Sequence, residues 1–258
     1  MYENIESFVA RSRLLKLGAR ASRFAVVLML LAALCVTATA QEDTADYWIK
    51  IGDGLVLNNS FQEALAAYEN AIQIDPENED TWLSKALIHQ ILSKQANKEA
   101  LNLAEKKLEN NPQDARAWQA RGAALAGLGR EDEAIQSFEN ATEIFDLEIQ
   151  NNPENATAWW FKAENLGNLG KQQDALPAYE KVIELNGSRK VDAWFAKASI
   201  FMTLGRHNES LAAFDEVIEL DPKYVLAWMG KGYLLTALGR DSEAEDAFAK
   251  AEELGYEG

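Results

Sequence analysis

The side chains that usually carry out chemistry are few in this 258-residue chain and lie far apart. There are two histidines, His89 and His207, and one cysteine, Cys35, within an apolar run near the amino terminus. Acid–base catalysis, thiolate catalysis and zinc binding need such groups beside suitable partners. Because the histidines fall in different segments, we expect His89 to be a core or helix-capping residue and His207 to face solvent. No glycine-rich phosphate loop, HExxH spacing or EF-hand series occurs. We therefore expect no catalytic site, no metal site and no cofactor.

The charge balance argues against a further class of function. The chain has 41 acidic and 25 basic residues, and the part after residue 40 keeps 39 of the acidic and 20 of the basic ones. Because this part of the chain is so negative, it repels the phosphate backbone of nucleic acids, and we expect no nucleic-acid binding. We interpret the many carboxylates as solvated faces of helices.

The first 40 residues have the form of an export signal. An uncharged apolar run of 17 residues, from Phe24 to Ala40, follows five basic residues, and Ala38-Thr39-Ala40 matches a small-x-small cleavage pattern. Such a run is at the short limit for spanning a bilayer, whereas the long basic stretch before it is typical of a retained anchor. The pattern predicts either a signal peptide or an N-terminal membrane anchor in 1–40. With either outcome we expect the chain after residue 40 to lie outside the cytoplasm, secreted or membrane-anchored.

The remaining chain is periodic in tryptophan. Successive tryptophans are 34, 36, 41, 35 and 34 residues apart. They are Trp48, Trp82, Trp118, Trp159, Trp194 and Trp228. A period near 34 indicates an array of structural repeats.

Each period predicts two helices. A small residue follows each tryptophan by four positions and so lies on the same helix face. Eleven positions after the tryptophan comes a residue suited to positive φ, which ends the helix. These residues are Asn59, Gly129, Gly170, Gly205 and Gly239. A second periodic stretch follows, with an alanine and then an aromatic residue on one face. We expect two antiparallel amphipathic helices that bury their apolar stripes only by stacking on neighbours.

The series tryptophan, small residue, Leu-Gly, alanine, aromatic, alanine, proline resembles the tetratricopeptide repeat. The resemblance covers about residues 45 to 258 in six copies. It implies an all-α fold, a right-handed α-solenoid of six helix-turn-helix units with a concave groove that binds peptides or partner proteins. The predicted units are 45–78, 79–114, 115–155, 156–190, 191–224 and 225–258.

Three units depart from the pattern. The second has two extra residues before Ala100 and has Ala104 in place of the aromatic residue, so we expect a degenerate unit with a longer turn. The third has seven extra residues at 143–149, which predict a longer second helix with a protruding end. In the fourth, Pro177 falls early in the second helix and predicts a local distortion.

In this family the row one, five and eight positions after each tryptophan faces the groove. Its large apolar residues form the predicted partner-binding set. They are Trp160, Phe195, Met202, Met229 and Tyr233 in the last three units, with Leu83 and Leu87 in the second. Apolar residues at helical spacing are equally typical of packing between helices, so both interpretations stay open. Capture of a partner's terminal carboxylate is not expected, because Arg116 is nearly the only cation in this row.

The sequence thus predicts a non-catalytic interaction module outside the cytoplasm, binding a peptide or helical segment in the groove. The alternative is a structural scaffold or accessory factor of an envelope or secretion assembly, acting through its end faces and elongated third unit. We expect a monomer rather than an end-stacked oligomer, because the outer face of the last helix is polar. Five asparagines in Asn-x-Ser/Thr triplets fit either glycan acceptors or helix caps. They are Asn58, Asn140, Asn155, Asn186 and Asn208.

Overall fold

The computed structural model describes residues 44–256, and the predicted signal or anchor segment lies outside them. The described part contains eleven α-helices and no strand, which confirms the all-α class. The helices are α1 Ala45–Leu57, α2 Phe61–Ile74, α3 Glu79–Asn110, α4 Ala115–Gly127, α5 Glu131–Asn151, α6 Ala156–Asn168, α7 Gln172–Glu184, α8 Lys190–Thr203, α9 His207–Leu220, α10 Val225–Ala237 and α11 Asp241–Glu253. In this part of the chain no helix combines the length and the apolar character needed to cross a bilayer.

The chain forms two compact units. One ends at Leu92 and contains α1, α2 and the first part of α3. The other starts at Ser93 and contains the rest of α3 and all later helices. In the second unit α4 to α11 form four consecutive helix hairpins, each packed against the next along the chain.

The hairpins are closed by residues with positive φ, as the sequence predicts. Gly129, Gly170, Gly205 and Gly239 have φ between 70° and 75°, and Asn59 has φ of 57°. In each turn the following N–H donates to a carbonyl five residues earlier, as Arg130 does to Leu125 at 2.9 Å. This is the Schellman arrangement, which satisfies the last carbonyls of the first helix.

The prediction of a turn in the second repeat is wrong. Residues 79–110 form one continuous helix, α3, with no hairpin. The position eleven after Trp82 is occupied by Ser93, whereas the other repeats have glycine or asparagine there. A left-handed conformation costs an ordinary L-residue about 1–2 kcal/mol, so at Ser93 the helix continues.

Small residues let the two helices of a hairpin approach closely. A Cβ atom built on Gly122 would lie 2.7 Å from the Phe138 ring, and the same clash would occur between Gly232 and Phe248. In the first unit Gly52 faces Tyr68 in the same way. The pairing of the small residue with the aromatic residue sixteen positions later therefore sets the helix separation.

A basic residue three positions after each of five tryptophans links successive repeats. Lys162 lies 5.5 Å from the centre of the Trp159 ring and forms a 2.5 Å ion pair with Asp146 on the preceding helix. The other pairs are Lys85–Glu69, Arg121–Glu105, Lys197–Glu180 and Lys231–Asp215. Each cation also lies over its own tryptophan, at 4.8 to 5.8 Å. The cation thus holds a carboxylate of one repeat and an indole of the next.

The same indoles hold the turns between repeats. Trp159 Nε1 donates to the carbonyl of Pro153 at 2.9 Å. The same bond joins Trp82 to Pro76, Trp118 to Pro112 and Trp228 to Pro222. Trp194 has Ser188 six positions earlier, and its buried Nε1 has no hydrogen-bond partner.

The second helix of the third repeat is longer, as predicted, but its end does not protrude. α5 has 21 residues, against 13 or 14 in the equivalent helices α2, α7, α9 and α11. Its added residues Phe145 and Ile149 are buried, and Phe145 stacks on Phe161 with ring centres 5.7 Å apart. The inserted turns extend the core because their apolar residues stay on the packed face. The expected distortion at Pro177 does not interrupt α7, which runs unbroken from Gln172 to Glu184.

Gly122→Ala tests the close contact inside a hairpin. We expect a loss of about 1–3 kcal/mol in the free energy of unfolding, because the added methyl displaces Phe138. Gly167→Ala is the matched control, since a Cβ there meets no atom within 4 Å. It should stabilise α6 by roughly 0.5–1 kcal/mol. Urea denaturation followed by circular dichroism measures both changes, and equal effects would contradict the contact.

Trp159→Phe tests the bond between indole and proline carbonyl. We expect it to destabilise the protein by about 1 kcal/mol more than Trp194→Phe, because only Trp159 loses a hydrogen bond. Both rings keep a cation nearby, so the pair isolates the indole N–H. Thermal unfolding midpoints of the two variants give the comparison. A larger loss at Trp194 would show that the proline contact contributes little.

Candidate partner-binding surface

The predicted groove residues of α10 lie on one exposed face. Met229 is half-buried and Tyr233 is 55 % exposed. Leu226, three positions before Met229, lies on the same face and is 54 % exposed. The sequence-based prediction missed Leu226, although its spacing of three and seven residues from the other two indicates one stripe. We call Leu226, Met229 and Tyr233 the α10 stripe.

The predicted residues of α8 contribute less surface. Phe195 is half-buried, with its ring centre 5.9 Å from that of Phe214 and 5.2 Å from that of Tyr224. Met202, two helical turns further on, is 39 % exposed. Phe195 therefore packs mainly against other aromatic rings, while Met202 exposes a flexible apolar side chain.

Trp160 is a packing residue in this structure. It is only 7 % exposed, lies in the core between α6 and α7, and meets Tyr179 edge to face at 5.4 Å between ring centres. Arg189 lies 4.9 Å from the Trp160 ring centre. The Trp160 indole thus packs against α7 and Arg189 and leaves little of its surface exposed.

Leu83 and Leu87 lie on α3, in the first compact unit, while the other predicted residues belong to the second. Both leucines are exposed and lie one helical turn apart. They form an exposed apolar pair on the first half of α3.

Two of the cations in the second unit, Arg116 and Arg189, share one aromatic ring. Arg116 lies 4.8 Å and Arg189 lies 5.5 Å from the centre of the Phe161 ring. Cation–π contacts of this kind stabilise both groups. Arg116 of the third repeat thus contributes to packing by covering an aromatic ring of the fourth repeat.

The tyrosines around this surface stay uncharged at neutral pH. Burial, and secondarily the carboxylate of Glu164, raises the pKa of Tyr179 to about 12. Burial and the carboxylates of Asp192 and Asp221 raise the pKa of Tyr224. The carboxylates of Asp192 and Asp221 therefore lie near Tyr224, which directly precedes α10.

The histidines differ from the sequence-based expectation. His89 is exposed on α3 rather than buried. His207 is half-buried at the start of α9, with Nδ1 buried and without a hydrogen-bond partner. Within residues 44–256, no three histidine, cysteine, aspartate or glutamate side chains are placed to hold a metal ion together.

Comparisons with known proteins agree with this architecture. Two family models, both described as tetratricopeptide repeat, match residues 162–225 and 195–255, and residues 45–78 and 115–145. Tetratricopeptide repeat protein 33 is 30 % identical in Homo sapiens and 32 % identical in Mus musculus, each over 94 residues. The match covers 36 % of this chain and 35 % of each relative, so it spans about a third of their length.

Several solved structures resemble this chain in fold, although their sequence identity to it is low. A tetratricopeptide repeat protein from Parabacteroides merdae is 18 % identical with a TM-score of 0.49, covering 83 % of this chain and 80 % of that one. YrrB, described as having an unusual peptide-binding site, is 20 % identical with a TM-score of 0.43, covering 83 % and 88 %. MamA from Desulfovibrio magneticus is 18 % identical with a TM-score of 0.44, covering 83 % and 97 %.

Proposed function

Because the chain belongs to the tetratricopeptide repeat family, we propose that it is a non-catalytic interaction module that binds an apolar segment of a partner protein. Proteins of this family generally act by binding other proteins. The segment, extended or helical, lies along α8 and α10 of the second compact unit. The observation that carries this proposal is the α10 stripe.

The stripe has the properties of a binding surface. Leu226 and Tyr233 each expose more than half of their surface on a helix whose opposite face, with Leu234 and Leu235, is fully buried. Tyr233 is held edge to face against Phe248 at 5.1 Å, so its ring is presented without much conformational freedom. Tyrosine and methionine are enriched at protein interfaces, where a rigid aromatic ring costs little entropy to bury.

The charges next to the stripe favour a particular kind of partner. Asp192 and Asp221 lie close enough to raise the pKa of Tyr224, which packs against Phe195. The chain has a formal net charge of −16. We therefore propose that the partner segment carries lysine or arginine beside its apolar residues, which would also speed association at low salt.

We further propose that the module works outside the cytoplasm, either secreted or held by its amino-terminal segment. The apolar run at Phe24 to Ala40, with basic residues before it, supports this location. A scaffold in an envelope assembly is the second candidate. It is favoured by one observation, the exposed Leu147 on the elongated α5.

Tyr233→Ala tests the proposed surface. Peptides of fifteen residues are first selected on the immobilised protein from a random display library, and the best one is labelled for fluorescence anisotropy. We expect Tyr233→Ala and Leu226→Ala each to weaken its binding about tenfold, as loss of an interface anchor does. The selected peptides should combine apolar and basic residues.

Leu147→Ala is the matched control. It removes an equally exposed leucine from the surface that the scaffold would use. Unchanged affinity in this variant, with loss in the other two, supports the α10 stripe. Loss only in Leu147→Ala would favour the scaffold, and equal affinity in all three variants would overturn the assignment. Trp160 is unsuitable as a probe, because its replacement by alanine removes a core residue.

A further inference from the structure

The turn between α7 and α8 contains one of the five Asn-x-Ser/Thr triplets, Asn186-Gly187-Ser188. We propose that Asn186 is the acceptor of an N-linked oligosaccharide. The proposal rests on the location outside the cytoplasm proposed above, because Asn-x-Ser/Thr triplets are glycosylated in exported chains. It is independent of the α10 stripe and of the partner that binds there.

Asn186 lies where the backbone turns after the end of α7. It has φ of 49°, and its N–H donates to the carbonyl of Ile183 at 3.0 Å. The N–H of Gly187 donates to the carbonyl of Val182 at 3.5 Å. Backbone groups alone therefore end the helix, as in a Schellman turn. The side chains of Asn186 and Ser188 take no part in these hydrogen bonds, and both residues are exposed.

The position of this triplet outside the helices matters for its recognition. A glycosylation triplet consists of the asparagine and the hydroxyl residue two positions later. In an α-helix, residues two positions apart do not face each other, so one enzyme site cannot contact both. Asn186 and Ser188 lie between α7 and α8. Their side chains form no hydrogen bond with any residue that the structure describes, so both are available to a transferase.

Two of the other triplets lie within helices. Asn140 is part of α5 and Asn208 is part of α9. The hydroxyl two residues later is also engaged in each case. Thr142 Oγ1 donates to the carbonyl of Phe138 at 2.8 Å, and the buried Ser210 donates to a carbonyl of α8. These two triplets are therefore poor acceptors in the folded chain.

The remaining two triplets serve the ends of helices. Asn155 is the N-cap of α6, and its Oδ1 accepts a hydrogen bond from the N–H of Ala158 at 3.2 Å. Asn58 is the C-cap of α1, and its Nδ2 donates to the carbonyl of Gly54 at 3.0 Å. Of the five triplets, only that of Asn186 thus keeps both of its side chains free of hydrogen bonds to the described residues.

The turn between α7 and α8 also differs from the other four connections between repeats in the described part. Each of those has a proline six residues before a tryptophan, as Pro153 precedes Trp159. Here Ser188 takes the place of the proline, and Trp194 Nε1 is buried without a hydrogen-bond partner. The residue that replaces the proline is the one that supplies the hydroxyl of the triplet. The chain thus lacks a structural hydrogen bond at the one connection where a free triplet occurs.

The modification joins the side-chain amide to a sugar. Nδ2 of Asn186 attacks the anomeric carbon of an oligosaccharide that is carried on a lipid diphosphate. The bond between this carbon and the diphosphate oxygen breaks, and the lipid diphosphate leaves with the electron pair. An N-glycosidic bond forms, and one amide proton passes to a base of the transferase. The lipid-linked oligosaccharide is the only co-reactant, and nothing is oxidised or reduced.

Glycan transfer to the folded chain tests the proposal. The full chain is produced in a host without a glycosylation pathway and purified. It is then incubated with a lipid-linked oligosaccharide and an oligosaccharyltransferase that modifies short peptides containing each of the five triplets. Mass spectrometry of the digested protein measures the modified fraction at each site. We expect this fraction to be about tenfold higher at Asn186 than at any other triplet, because only there are both side chains available.

Three substitutions separate the triplet from the fold. Ser188→Ala should remove the modification while it leaves the positive φ at Asn186 in place. Ser188→Thr should retain the modification, because threonine also supplies the hydroxyl. Thr157→Ala, the matched change in the triplet of Asn155, should leave the modified fraction at Asn186 unchanged. Circular dichroism checks that the variants fold alike.

Two results would overturn the proposal. One is a folded chain that receives no glycan at Asn186, and the other is a second triplet that is modified to the same extent. Because the purified chain is used, neither result depends on where the protein works. Fractionation of cells tests the location separately, and a cytoplasmic chain would contradict that location whatever the transfer experiment gives.

Discussion

The helix hairpins of this protein depend on one backbone conformation. Eleven residues after the tryptophan, the chain must adopt positive φ so that the first helix ends and the second can fold back. Glycine does this without strain and Asn59 does it at small cost, whereas Ser93 continues the helix. The residue type at this position decides whether the hairpin closes. In a closed hairpin a small residue such as Gly122 meets its aromatic partner, whereas Ala86 of the second repeat stays exposed.

The ion pairs and cation–π contacts between successive repeats do not depend on the turn with positive φ. They are also present on both sides of the second repeat, which has no such turn. Lys85 and Arg121 flank the open second repeat, and each still holds a carboxylate of the preceding helix and its own tryptophan ring. Each surface ion pair contributes little by itself. Repeated along the chain with the indole–proline hydrogen bonds, these contacts fix how one repeat follows the next.

Much of the fold could be predicted from the sequence because its determinants are local. Residue type predicts the positive φ at Gly129 and Asn59. The spacing of the tryptophans predicts the lengthened α5. The repeat pattern wrongly predicts a turn in the second repeat, because it rests on the other repeats. At the turn position they have glycine or asparagine, whereas the second repeat has Ser93. The indole–proline hydrogen bonds do have a sequence signal, because a proline lies six residues before four of the tryptophans. The exposure of Trp160 and Leu226 could not be predicted, because it depends on which neighbouring helices cover each side chain.

The most direct test of this account is the backbone conformation at Ser93. Nuclear magnetic resonance shifts of its Cα and Cβ atoms, in the isotope-labelled protein, report that conformation. A continuous α3 predicts shifts typical of an α-helix at Ser93 and at both of its neighbours. Shifts that indicate positive φ at Ser93 would show a turn within the second repeat and would contradict the role assigned to this residue.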